Sequence, residues 1–210
     1  MTKPREKFYK ELLVEGINDL HVVSALCEKY QIPENFEIVD CAGIDNLRKQ
    51  ISVRFKSSGI DTIGVIVDAD TDILQRWEVF SAVLKEEGFN VPLEFPVAGL
   101  ILKHESQNKK VGVWIMPDNQ TSGMLEDFIA FLVPEDDLLI PEVHTVLGSI
   151  ESKGINKYTP IHKSKAVIHT WLAWQENPGT PMGLSITKKY LTTEDAVCES
   201  FVNWLTNLFS

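Results

Sequence analysis

Three apolar runs near the start of the chain, ELLVE (11–15), FEIVDC (36–41) and TIGVIV (62–67), are each followed by a stretch of helical period. Residues 19–30 place apolar side chains at 22, 23, 26 and 30, residues 44–57 place Ile44, Leu47, Ile51 and Phe55 on one stripe, and residues 73–87 form an amphipathic segment closed by Gly88. Strand followed by helix, three times over, predicts an α/β fold whose parallel sheet is covered on both faces. Right-handed crossovers bring the C-terminal ends of such strands to one edge. Ligands of open α/β sheets bind at that edge.

Two of the three runs end in carboxylates. LLVEGINDLH (12–21) carries Glu15 and Asp19, and IGVIVDADTD (63–72) carries Asp68, Asp70 and Asp72. The predicted topology brings these segments together although they lie about 50 residues apart. Asp68 and Asp70, at i and i+2 where a buried strand ends, project to the same side and repel unless a cation compensates. All-oxygen donors favour Mg²⁺, Mn²⁺ or Ca²⁺ over Zn²⁺. A third acidic pair, Glu126-Asp127, lies in SGMLEDFI. Adjacent helical residues point about 100° apart, so one of the two faces the site, and Glu126 is preferred. Local roles compete with ligation: Asn18 or Asp19 as a helix cap, Asp72 as the cap of the next helix, and Glu126-Asp127 as an acidic first turn.

Beyond Gly88, residues 97–102 and 111–116 read as strands flanking the polar stretch HESQNKK, a hairpin tip. Residues 123–133 read as a helix stopped by Pro134, 135–160 are poorly patterned, 163–175 and 194–209 read as helices, and NPGTPMG between them as a loop. The expected division is a core over 1–134 and a C-terminal extension over 135–210 packed on it. His162 and His169, seven apart, have no partner at ligand spacing, and Trp171, Trp174 and Trp204 fall within helical apolar patterns as core residues.

The formal charge is −10, and residues 151–210 hold six lysines against five acids, so the acidity belongs to the part that carries the motifs. Such a surface does not attract polyanions by itself. No run of about 18 apolar residues occurs, so no membrane span is expected. The charged start MTKPREKFYKE is unlike a secretion signal, and three widely spaced cysteines (Cys27, Cys41, Cys198) suit reduced thiols and a cytoplasmic protein.

LLVEGINDLH followed by IGVIVDADTD resembles the Toprim domain, which topoisomerases, bacterial primases and OLD-type nucleases share. Its signature is a glutamate after the first strand and a DxD at the end of the third. Glu15 matches the glutamate, and Asp68 and Asp70 match the DxD. The resemblance implies a Toprim-like (Rossmannoid), mostly parallel central sheet flanked by helices, with a helical C-terminal extension here, and divalent-metal chemistry on phosphodiesters. The EGxxD form, with Asp19, looks most like the OLD-type branch, which also uses later acids and a lysine. Glu126 and Asp127 are candidates for the former, and Lys163 or Lys165 in HKSKAVIHTWL for the latter. The tail HTWLAWQENPGTPMG also looks like small stand-alone Toprim-related proteins of unassigned function. The likeness spans roughly residues 8–133. No GxxxxGK[ST], no cysteine-based zinc module and no strand-passing domain is present, which argues against primase and topoisomerase activities. DADTD also begins like the DxDx[TV] of haloacid dehalogenase-type phosphatases. The fifth position is Asp72 instead, no GDxxxD follows, and two strands precede the motif rather than none.

The expected function is Mg²⁺- or Mn²⁺-dependent phosphodiester hydrolysis, that of a nuclease acting on DNA or RNA. Glu15, Asp19, Asp68, Asp70, Asp72 and Glu126 are the expected ligands, Glu15 serves as acid or base in the general Toprim picture, and Lys163 or Lys165 neutralises charge on the phosphate. Partners would be a nucleic acid or nucleotide phosphoester, with a protein partner or second copy supplying grip. The alternative is a non-catalytic or partner-activated module that keeps the scaffold and binds metal or nucleotide.

Overall fold

The computed structural model describes residues 9–210. Five strands, β1 (Lys10–Val14), β2 (Glu37–Asp40), β3 (Thr62–Asp68), β4 (Leu100–Lys103) and β5 (Lys110–Met116), form one sheet in the order β2-β1-β3-β5-β4. All neighbours are parallel except the edge strand β4, which returns antiparallel to β5 across the polar hairpin. Helices α1 (Ile17–Tyr30), α2 (Ile44–Phe55) and α3 (Ile73–Glu86) follow β1, β2 and β3. The mixed α/β architecture and its mostly parallel sheet are therefore as the strand–helix alternation required.

Both sheet faces are buried, and the period of two separates them. Leu12, Val14, Ile66, Trp114 and Met116 face one cluster; Leu13, Ile63, Val65, Val67, Val111, Val113 and Ile115 face the other, with α2 and α3. The first face is sealed by α1, α4 (Leu125–Phe131), α5 (Leu139–Ser152), α6 (Lys163–Ala173), α7 (Met182–Thr187) and α8 (Ala196–Phe209). One buried cluster thus takes in side chains from both sides of residue 134.

The centre of that face is a trough. Gly64 and Gly112 are cross-strand partners, and Leu12 pairs with Gly64 on the other side. A Cβ at Gly112 would lie 2.6 Å from Leu208 Cδ2, and one at Gly64 2.6 Å from Leu12 Cδ1 and 2.9 Å from Leu208 Cδ2. Two adjacent glycines therefore let α8 sink onto the sheet, where Phe209 stacks on Phe36 at 3.9 Å between centroids. Lys10 Nζ donates to the Phe209 carbonyl at 2.7 Å, placing a cation at the negative end of α8.

Several sequence expectations need correction. Asn18 is not the cap of α1; Gly16 is, and Asp19 at the third position accepts its N–H. Residues 97 and 98 are turn, and β4 begins only at Leu100, whose carbonyl accepts from Trp204 Nε1. The unpatterned stretch 135–160 contains α5. Pro141 lies in its first turn, where proline is tolerated, and Asp137 Oδ1 accepts from the N–H groups of Leu139 and Ile140. Only Val143 and Leu147 of α5 are buried, a stripe too thin to announce a helix. The loop NPGTPMG ends inside α7, which packs on α1, and Gly183 allows that approach because a Cβ there would meet the His21 carbonyl oxygen at 2.4 Å. Trp171 and Trp204 are core residues as expected, whereas Trp174 is 40% exposed. The three cysteines are free. Among the described residues no helix is long and apolar enough to cross a membrane.

Candidate functional site

The strand ends of β1 and β3 and the start of α4 meet at one place on the sheet edge. Val14 pairs with Ile66, so the residue after β1, Glu15, reaches the end of β3, where its Oε1 accepts the Asp68 N–H at 2.9 Å. Asp68 pairs in the sheet with Met116, and its Oδ1 accepts the N–H of Leu125, the first residue of α4, at 2.9 Å. Asp19 is held by its cap bond to Gly16 at 3.2 Å. Glu15, Asp19 and Asp68 each spend one carboxylate oxygen on a backbone N–H and keep the other.

The remaining acids divide. Glu126 is buried with its side chain 4% exposed, and its charge acts on both Asp19 and Asp68. Asp127 turns back to accept the Met124 N–H at 2.8 Å. The 100° step between neighbours thus assigns Glu126 to the cluster and Asp127 to the helix start. Asp70 sits on the outer side with φ 54°, its N–H pinned to the Gly123 carbonyl at 2.8 Å and its carboxylate on Arg76. Asp72 points elsewhere: it caps α3 by accepting the Gln75 N–H at 3.0 Å.

Burial and mutual repulsion leave a clear electrostatic mark. The Asp68 carboxyl is pushed up to about 9, first by burial and then by Asp19, Glu15, Glu126 and Asp70. Asp19 is pushed up to about 7 by burial and then by Glu15. Glu15 is raised by burial, partly offset by the Asp68 N–H and by Arg76. Removing carboxylates from water raises their proton affinity, and a second carboxylate nearby raises it further.

Basic side chains border the acids. Arg76 of α3 pairs with Asp70 at 2.5 Å. Lys165 Nζ and His169 Nε2 of α6 lie 4.0 and 3.8 Å from Glu126 Oε1. Lys163 is drawn away, bonded at 2.9 Å to Glu151 of α5. Between the two candidate lysines, therefore, Lys165 is the one beside the acids.

The cluster is all oxygen, each of three carboxylates offers one uncommitted oxygen, and the group carries more negative charge than its burial tolerates. Those properties fit a hard divalent cation held by Glu15, Asp19, Asp68 and Glu126, with Asp70 at the rim. As the side chains stand, no three His, Cys, Asp or Glu among the described residues close on a single point at ligand distance. Ligation therefore requires the side chains to move from these positions.

Arg76 was not singled out in the sequence, and His169 was read there as having no partner, whereas its Nε2 lies 3.8 Å from Glu126 Oε1. A cation in the first turn of α3 opposes the helix dipole and signals an anion nearby. Lys165 and His169 at i and i+4 share a helix face, whereas the more obvious pair, His162 and His169, converges on nothing here.

The family described as "Protein of unknown function (DUF3226)" matches residues 9–210. No curated protein matches the chain. Among solved structures, the chain is similar to the C-terminal region of the OLD protein of Xanthomonas campestris pv. campestris phased with mercury, at 14% identity and a TM-score of 0.46 over 96% of each chain. It is similar also to the same region phased with iodine, at 12% identity and 0.45 over 96% of each chain.

Proposed function

This chain belongs to the DUF3226 family of proteins of unknown function, and we propose that it is a divalent-metal-dependent phosphodiesterase, a nuclease acting on DNA or RNA. The observation that carries the reading is the convergence of Glu15, Asp19, Asp68 and Glu126, drawn from three separate segments into one group in which Asp19 and Glu126 are buried and Glu15 and Asp68 half-buried, with Asp19 and Asp68 raised to about 7 and 9. Folding gains nothing from such repulsion. The Toprim resemblance of LLVEGINDLH and IGVIVDADTD supports the same reading.

Glu15, Asp19, Asp68, Asp70 and Glu126 are the proposed ligands of Mg²⁺ or Mn²⁺. Bound there, the metal would polarise the scissile phosphate and lower the pKa of an attacking water. Glu15 and Asp68, tied to each other through the Asp68 N–H, hold the two strand ends in fixed relation, and each keeps one carboxylate oxygen free to turn towards a metal. Lys165, on α6, offsets negative charge that builds on the phosphate. Asp72 is proposed as a helix cap rather than a ligand, because its carboxylate is committed to Gln75.

A second reading is favoured by the charge of −10 and by the engagement of Lys163 with Glu151: a non-catalytic or partner-activated module that binds metal or nucleotide. The test is incubation of purified protein with Mg²⁺ or Mn²⁺ and a mixture of DNA and RNA substrates. Cleavage lost in Asp68→Ala and Glu15→Ala supports the nuclease. Metal binding without turnover of any nucleic acid or nucleotide supports the module.

A further inference from the structure

We propose that Arg76 is the counter-cation of the carboxylate cluster and becomes the clamp for the substrate's phosphate once a divalent ion takes Asp70 from it. The inference rests on the metal-dependent phosphodiesterase reading and adds to it the residue that links metal and substrate binding.

Arg76 is the more sheltered member of its pair, with side-chain exposures of 14% for Arg76 and 44% for Asp70. An arginine placed only to hold a surface acid would have the opposite ranking. Its charge also acts on Glu15, so the guanidinium lies close to the cluster as well as on Asp70. It stands in the first turn of α3, where the helix dipole disfavours a cation, so helix stability does not account for it.

Among the described residues its side chain makes one hydrogen bond, to Asp70. A guanidinium has five N–H groups. None of its nitrogens is both buried and without a partner, so the unused donors reach water at the crevice. Those donors form a planar fork that matches two phosphate oxygens, which an ammonium does not.

The backbone around the pair is fixed while the side chains are free to exchange partners. The Asp70 N–H is bonded to the Gly123 carbonyl, and Arg76 lies in a regular helix. A doubly charged ion and a singly charged guanidinium compete for the same Asp70 oxygens, and the ion has the stronger claim. The released guanidinium then joins Lys165, whose Nζ lies 4.0 Å from Glu126 Oε1, as a second cation bordering the carboxylates. A phosphate entering there meets both the guanidinium and the Lys165 ammonium. Metal and phosphate binding become positively linked, and linkage is reciprocal.

The test is calorimetric titration of the full chain with MgCl₂, followed by titration of the Mg²⁺-loaded protein with inorganic phosphate. Removing a competitor should make Arg76→Gln bind Mg²⁺ roughly fivefold more tightly than wild type and phosphate roughly tenfold more weakly, within the range of ordinary binding linkage. Arg76→Lys, which keeps the charge but loses the fork, should stay near wild type for Mg²⁺ and still bind phosphate more weakly. Unchanged or weaker Mg²⁺ binding in Arg76→Gln, with circular dichroism like wild type, overturns the proposal and leaves the metal site standing. Should Arg76→Gln fail to fold, the phosphate titration of Arg76→Lys decides, since wild-type affinity there overturns the clamp. Absence of heat with MgCl₂ in the wild type removes the metal reading itself and this inference with it.

Discussion

Substituting Asp68 by asparagine should make the protein more stable while removing its response to metal. Asp68 carries the largest repulsive burden of the cluster, with its carboxyl pushed from 3.8 to about 9. Near pH 7 the unfolded chain holds this group ionised, whereas the folded chain must protonate it or bear the repulsion. Each tenfold difference in proton affinity is worth about 1.4 kcal/mol, so the interval from 3.8 to pH 7 corresponds to about 4 kcal/mol. Relaxation and water at the crevice mouth reduce this, and a gain of about 2–4 kcal/mol is expected for Asp68→Asn. The asparagine oxygen can still accept the Leu125 N–H, so the start of α4 keeps its anchor. The sign with pH follows from a raised carboxyl. The penalty is absent below 3.8, grows as pH rises towards about 9 for Asp68 and about 7 for Asp19, and is constant above. Wild type in chelator should therefore lose stability from about pH 4 to about pH 9, and the variant should lose less. Urea unfolding followed by tryptophan fluorescence reads both. Mg²⁺ at about 100 times its Kd should add about 2.7 kcal/mol to wild type and much less to the variant. A variant no more stable than wild type near pH 7, or one that Mg²⁺ stabilises equally, would refute the electrostatic account of the site.

Gly112→Ala drives a Cβ to 2.6 Å from Leu208 and should cost about 1–3 kcal/mol in urea unfolding by overpacking under α8. Asp72→Ala should cost about 1 kcal/mol through loss of the α3 cap and leave the heat of Mg²⁺ binding unchanged; a large loss of that heat would restore Asp72 to the ligand set. Lys165→Met should lower turnover roughly 100-fold with the Mg²⁺ titration intact, whereas Lys163→Met should do neither. Equal effects of the two lysines would remove the distinction drawn from their neighbours.

The parallel sheet was legible because its strands are buried on both faces and read as unbroken apolar runs, and because Gly43 and Gly88 punctuate them. The meeting of Glu15 with Asp68 followed from topology alone, since strand ends of one sheet edge are neighbours whatever their separation in sequence. Glu126 could be chosen over Asp127 from the turn angle of a helix. The contribution of α6 was harder to see. Lys165 and Lys163 are both lysines on a polar stretch, and only the tertiary position of Glu151 decides which one is occupied elsewhere. Arg76 was hidden because its partner lies six residues back across a left-handed turn at Asp70, a conformation that residue type does not announce. The helix α5 was missed for want of an apolar stripe, its side chains being mostly at the surface.

The trough formed by Gly64 and Gly112 has a consequence for the order of biosynthesis. All five strands have been made by Met116, but α8, the helix that lies in the trough, begins only at Ala196. At translation speeds of about 5–20 residues per second, the intervening stretch of about 80 residues takes roughly 4–16 s to emerge. Throughout that interval the glycine trough and Trp114 stand without α8 over them, so the growing chain carries an adhesive patch that a chaperone would cover until the last helix is made.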